Sequence, residues 1–216
     1  IGEKSPNLKN NFSKIKKEDN VNSNLKLSIS NKKIQVSLMF AGVFCCVAMS
    51  MPQVHIVPLC IDNGFGLAVG TEILSFMLFA AVTSRVLFGF LSDKIGPIQT
   101  LILGSTLQAI SLSMFLPFNS QLSLYIVAIC FGLSQGGIVP IYAVIISKFL
   151  PENEVAERVG LLIFATIVGM SLGGWLSGEI YDYTNSYQMA FLNGIFWNLV
   201  NLLIMVYLFL KYKQSI

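Results

Sequence analysis

Residues 1–33 are strongly polar, and from residue 34 the chain turns apolar in long runs separated by short polar breaks. The runs cover approximately 34–58, 68–91, 97–117, 121–147, 159–181 and 188–210. Each matches the ~20 residues that a helix needs to cross the hydrocarbon core of a bilayer. The pattern predicts an all-α membrane protein with six transmembrane helices over residues 34–210. Pro52 and Pro58 interrupt the first run and Pro140 the fourth. Proline is tolerated inside membrane helices where neighbouring groups satisfy the carbonyl it frees.

Composition agrees. Of 216 residues, 54% are apolar and 12% charged, against about 25% charged in soluble domains. Cys45, Cys46, Cys60 and Cys130 show neither metal-ligand nor disulfide-framework spacing and read as small hydrophobes. The segment 1–33 holds eight lysines against Glu3, Glu18 and Asp19. It has too little apolar surface to offset its ordering entropy, so it is expected to be a disordered basic cytoplasmic linker. A basic tail could also bind anionic lipid or nucleic acid. Without interleaved aromatics the linker reading is preferred, and no nucleic-acid partner is expected. No secretory signal is visible, and the chain begins at Ile1, so a fragment or a product cut from a longer protein is expected.

The basic residues set an orientation. Eight of the fourteen Lys and Arg lie in the N-terminal segment, Lys94 follows the second run, Lys148 and Arg158 flank the connection after the fourth, and Lys211 and Lys213 follow the last. The connections at 59–67, 118–120 and 182–187 contain none. With six spans, all of these residues fall on one side, which the positive-inside rule places in the cytoplasm with both termini and the tail 211–216. The exception is Arg85, inside the second run.

The stretch "GFLSDKIG" (89–96) resembles the cytoplasmic loop signature G-x-L-x-D-[RK]-x-G of the major facilitator superfamily. "VPLCIDNGFG" (57–66) and "GGWLSGEIYDYTNSYQMAF" (173–191) resemble its monocarboxylate transporter and oxalate–formate antiporter branch. The resemblance implies that 34–210 is the C-terminal half of a twelve-helix transporter, built as two inverted three-helix repeats, 34–117 and 121–210. It also implies a missing N-terminal six-helix half, with residues 1–33 in the loop joining the two.

Arg85 is the first candidate site residue. It lies six residues before Leu91, about 9 Å along a helix, so snorkelling to the interface competes with a functional reading. The resemblance implies that an arginine in this helix, in an R-x-x-x-G setting, binds the substrate carboxylate; Arg85 and Gly89 match it. Its planar guanidinium suits a carboxylate, since it offers two parallel hydrogen bonds and stays protonated. Proton-coupled members carry an aspartate one turn earlier, where this chain has Ala81, so exchange or passive transport is favoured over proton coupling. His55, the one histidine, is either a hydrogen-bonded helix-end residue or a pH-responsive substrate site. Gln135 and Tyr142, seven residues apart, are expected on one helix face. There they would bind a small anion or make interhelical hydrogen bonds.

Asp93 and Arg158 stand at cytoplasmic helix ends. They are either solvated charges or, as the resemblance implies, the gate that holds the inside closed, the aspartate capping a helix N-terminus in the other half. Gly132/Gly136, Gly169/Gly173 and Gly174/Gly178 are small-xxx-small pairs that allow close helix approach. Glu72 and Glu179 read as interfacial, and Asn193, Asn198 and Asn201 as interhelical hydrogen-bonding residues.

No HExxH, CxxC, P-loop or G-x-S-x-G motif is present, so an enzyme is not expected, nor a metal or cofactor. The expectation is a secondary transporter or antiporter for a small organic anion, such as a mono- or dicarboxylate, in a plasma or bacterial inner membrane. An exporter of another solute class and a non-transporting membrane module are the alternatives.

Overall fold

The computed structural model describes residues 31–117 and 120–213. Most of the 1–33 segment, residues 118–119 and the tail end 214–216 lie outside the described residues, and with them the expectations placed there. Among the described residues seven α-helices follow one another: α1 (Asn31–Asp62), α2 (Gly66–Ile95), α3 (Pro97–Met114), α4 (Gln121–Gln135), α5 (Ile138–Phe149), α6 (Val155–Thr184) and α7 (Tyr187–Lys213). A single 3-10 turn, Glu152–Glu154, leads into α6.

Among the described residues, five segments are long and apolar enough to cross a bilayer: α1, α2, Gln121–Phe149 (α4 with α5), Glu152–Thr184 and Tyr187–Lys211. The third expected span, α3, is 18 residues long. It packs inside the bundle against α4, α5 and α7. Its buried face carries Thr100, Ser105, Gln108 and Ser111, and it is not among the five segments apolar enough to span. Polar side chains are tolerated there because neighbouring helices cover them. Helices also outrun the predicted boundaries. α1 takes in Lys32 and Lys33 and continues past Pro58 to Asp62.

Long-range hydrogen bonds show which ends of the helices lie together. Gln35 Nε2 donates to the Arg158 carbonyl at 3.0 Å, joining the starts of α1 and α6. At the opposite end, Tyr181 and Tyr187 both donate to Asp62 Oδ2, at 2.7 and 2.8 Å. α1 and α6 therefore run parallel and α7 returns between their ends. α1 is the central helix: 67% of its most apolar window is buried, against 33% for α2 and 28% for α6.

Glycine sets the helix spacing. A Cβ on Gly132 or Gly136 would collide with the carbonyl of Met77 or Ala81, so α4 lies directly on the α2 backbone. Gly169 and Gly173 press α6 onto Val43 and Val47 of α1 in the same way. Gly174/Gly178 differs. Its nearest contacts are 3.4 and 3.7 Å, which is ordinary packing, not a close crossing. Gly96, the single residue between α2 and α3, has φ +92°, a conformation that favours glycine. Pro97 then starts α3 with no N–H to leave unsatisfied.

Candidate substrate site

The fourth predicted span is broken. Pro140 lacks an N–H and cannot bond the carbonyl four residues back, which is that of Gly136. The helix stops at Gln135, turns through Gly136–Gly137 and resumes at Ile138. Arg85 answers the freed carbonyl from α2: its Nε donates to Gly136 O at 3.4 Å. One turn alongside, Ser84 Oγ donates to Leu133 O at 2.6 Å.

Arg85 is exposed. No carboxylate among the described residues pairs with it. With Nε held by backbone, the Nη1/Nη2 edge of the guanidinium has no hydrogen-bond partner among the described residues.

Gln135, next to Gly136, is 1% exposed. Its Oε1 accepts a hydrogen bond from Gln53 Nε2 on α1 at 3.0 Å. Its Nε2 is buried with no partner among the described residues, and such an orphan donor costs about 1–3 kcal/mol. Arg85, the Gly136 carbonyl, Gln135 and Gln53 thus join three helices at the break. Gln53 was not legible as part of this group, because its partner lies 82 positions away.

Tyr142 does not join them. Both Gln135 and Tyr142 are buried, but no hydrogen bond among the described residues joins Tyr142 to the group at the break. Tyr142 is fully buried, and its hydroxyl donates to Asn201 Oδ1 at 2.7 Å. Asn201 Nδ2 donates to Ser105 Oγ at 2.9 Å and Asn198 Nδ2 to Gln108 Oε1 at 2.8 Å. These bonds tie α3 and α5 to α7, as expected of Asn198 and Asn201. Asn193 instead accepts from Trp197 in its own helix, at 3.1 Å. We predict that Tyr142→Phe lowers the unfolding free energy by about 0.6–1.7 kcal/mol and leaves the apparent affinity for transported substrate unchanged. A KM increase of tenfold or more would place the phenol against substrate instead.

His55 is half-buried and turned towards α6, its Nε2 3.2 Å from the Gly174 carbonyl. A carbonyl can only accept, so this ring nitrogen carries the proton. Gln53 faces α4 while His55 faces α6, and the structure does not bring His55 to Arg85 by any hydrogen bond. Asp93 is exposed at the end of α2. Arg158 is already engaged within this half: Nε donates to Glu154 Oε2 at 2.8 Å, and Nη2 reaches the same oxygen. No hydrogen bond or ion pair among the described residues joins Asp93 to Arg158.

Sequence reasoning also passed over the cluster at the Asp62 end of the bundle. Tyr181 and Tyr187 stack with ring centroids 4.2 Å apart while both bond Asp62. Glu72, read as interfacial, accepts from Tyr125 at 2.7 Å. Among the described residues, no three His, Cys, Asp or Glu side chains gather as a metal would require.

Comparison with known proteins gives the same direction. The profile of the Major Facilitator Superfamily matches residues 38–215. Monocarboxylate transporter 13 of Rattus norvegicus is 28% identical over 160 residues, 73% of this chain and 36% of the relative. The Bos taurus protein of that name is 25% identical over the same shares. The MFS-type transporter opdF of Penicillium oxalicum is 29% identical over 157 residues, 69% of this chain and 37% of its own. The chain thus spans little more than a third of the length of these curated relatives.

Proposed function

The chain belongs to the Major Facilitator Superfamily, and on that premise we propose that it is the C-terminal six-helix half of a membrane transporter for a small organic anion. The carrying observation is Arg85: a permanent cation inside a spanning helix, anchored through Nε to the Gly136 carbonyl and paired with no carboxylate among the described residues. A charge in such a place is retained for function, and the fork it leaves fits a carboxylate. Two relatives are named as monocarboxylate transporters, which supports a mono- or dicarboxylate as cargo. Gln135 supplies a second donor through its free Nε2, and Gln53 holds that amide in place.

The rest of the reading follows from what this half leaves uncovered. α2 exposes Phe79, Val82, Val86 and Phe90. A Cβ on Gly89 would meet nothing within 4 Å. A second six-helix half seated on this side would cover these surfaces and enclose Arg85 between halves. Asp93 gates the cytoplasmic mouth by reaching a helix N-terminus of that half, while Arg158 braces the start of α6 through Glu154. Alternating access then exposes Arg85 to each side in turn. The test is counterflow in proteoliposomes containing the complete protein. Internal unlabelled carboxylate should accelerate entry of labelled carboxylate, and neutral or cationic analogues should not.

Orientation is tested separately. All basic ends lie on the side of Lys32 and Arg158, which we place in the cytoplasm. A cysteine at exposed Asn153 should react with impermeant thiol reagents only in inverted vesicles, and one at exposed Asn63 only in intact cells. The opposite pattern would reverse the assignment.

A further inference from the structure

We propose that the seam between α1 and α7 at the basic end of the bundle binds the headgroup of an anionic phospholipid. A cavity of about 330 Å³ opens there, lined by Lys32, Lys33, Val36, Ser37 and Tyr207. Both lysines are at the start of the described part of α1. Two adjacent cations repel one another, and an anion held between them removes the conflict. Neither lysine has a carboxylate partner among the described residues, and the hydroxyls of Ser37 and Tyr207 have no hydrogen-bond partner there either. Two ammonium groups and two hydroxyls therefore converge on one cavity with their donors unspent.

The surface beneath the cavity selects a lipid over a free anion. Val36 and Phe40 follow Lys32 at successive helical turns on one face of α1. They are 50% and 54% exposed, forming an apolar strip that runs from the cavity towards the bilayer centre. Charge at the rim, hydroxyls below it and hydrocarbon beneath them repeat the order of phosphate, glycerol ester and acyl chain. Inorganic phosphate would use the rim and leave the strip idle. Basic pockets between helices at the membrane surface attract acidic headgroups, and a tyrosine at that depth suits the interface.

The experiment is native mass spectrometry of the complete protein, titrated with phosphatidylglycerol or with phosphatidylcholine of the same chains. Phosphatidylglycerol should bind roughly tenfold more tightly, and Lys32→Ala/Lys33→Ala should abolish that preference in a monodisperse protein. Lys148→Ala, which removes a basic residue outside the cavity, should leave it intact. Equal binding of the two lipids, or a preference that survives the double variant, overturns the proposal. An equal loss in Lys148→Ala would show general surface charge and overturn it too. Displacement of the lipid by millimolar inorganic phosphate would make this a free-anion site, again contrary to the proposal.

Discussion

Arg85→Lys is expected to abolish most anion transport, although it preserves the charge. The lysine ammonium is a point donor on a flexible stem and cannot make two parallel bonds to a carboxylate. It also lacks an Nε, so the hydrogen bond that fixes the side chain to the Gly136 carbonyl is lost with the fork. Loss of a charge-assisted bond costs about 1.5–3 kcal/mol, roughly a tenfold to 150-fold weakening. A residue that merely snorkels behaves oppositely, since lysine reaches the interface as well as arginine does. Uptake of labelled carboxylates at matched surface expression separates the two. Near-normal transport by the lysine variant would remove Arg85 from the anion site.

Gly136→Val should be the most damaging change that touches no charged group. A Cβ on Gly136 would run into the carbonyl oxygen, carbonyl carbon and Cα of Ala81. These are backbone atoms of α2 and cannot rotate aside. The helices must separate, at a cost of about 1–3 kcal/mol or more, and their separation pulls the Gly136 carbonyl from Arg85. We expect a low yield of monodisperse protein and no measurable transport in the fraction that folds. Gly178→Ala is the control. Its Cβ would meet only His55, at 3.7 Å, and size-exclusion profile and uptake should match the parent protein.

The apolar runs made the helices legible, because twenty consecutive apolar residues have few other uses. α3 was predicted on the same basis, yet it carries buried Thr100, Ser105 and Gln108 and is not among the five segments apolar enough to span. "GFLSDKIG" pointed to the family through a local signature, and the match over residues 38–215 agrees. The break at Gly136 was less accessible. Pro140 was visible, but whether a proline kinks, breaks or leaves a helix intact depends on what answers the freed carbonyl. Here the answer comes from Arg85, 51 positions away. The same holds for Tyr142, whose role turned on Asn201, and for Asp62, which two tyrosines from other helices hold. Such pairings depend on which helices are neighbours, and periodicity within one run carries no record of that.

The most direct test of an anion held by Arg85 is a distance. Solid-state NMR dipolar recoupling, applied to the complete protein with ¹⁵N-labelled arginine and a transported carboxylate carrying ¹³C at the carboxyl, reads proximity between carboxylate carbon and guanidinium nitrogens. A bidentate pair with N···O distances of about 2.7–2.9 Å should give strong dephasing that disappears in Arg85→Lys. Dephasing unchanged by that substitution, or a bound carboxylate with none in the parent protein, would contradict the assignment.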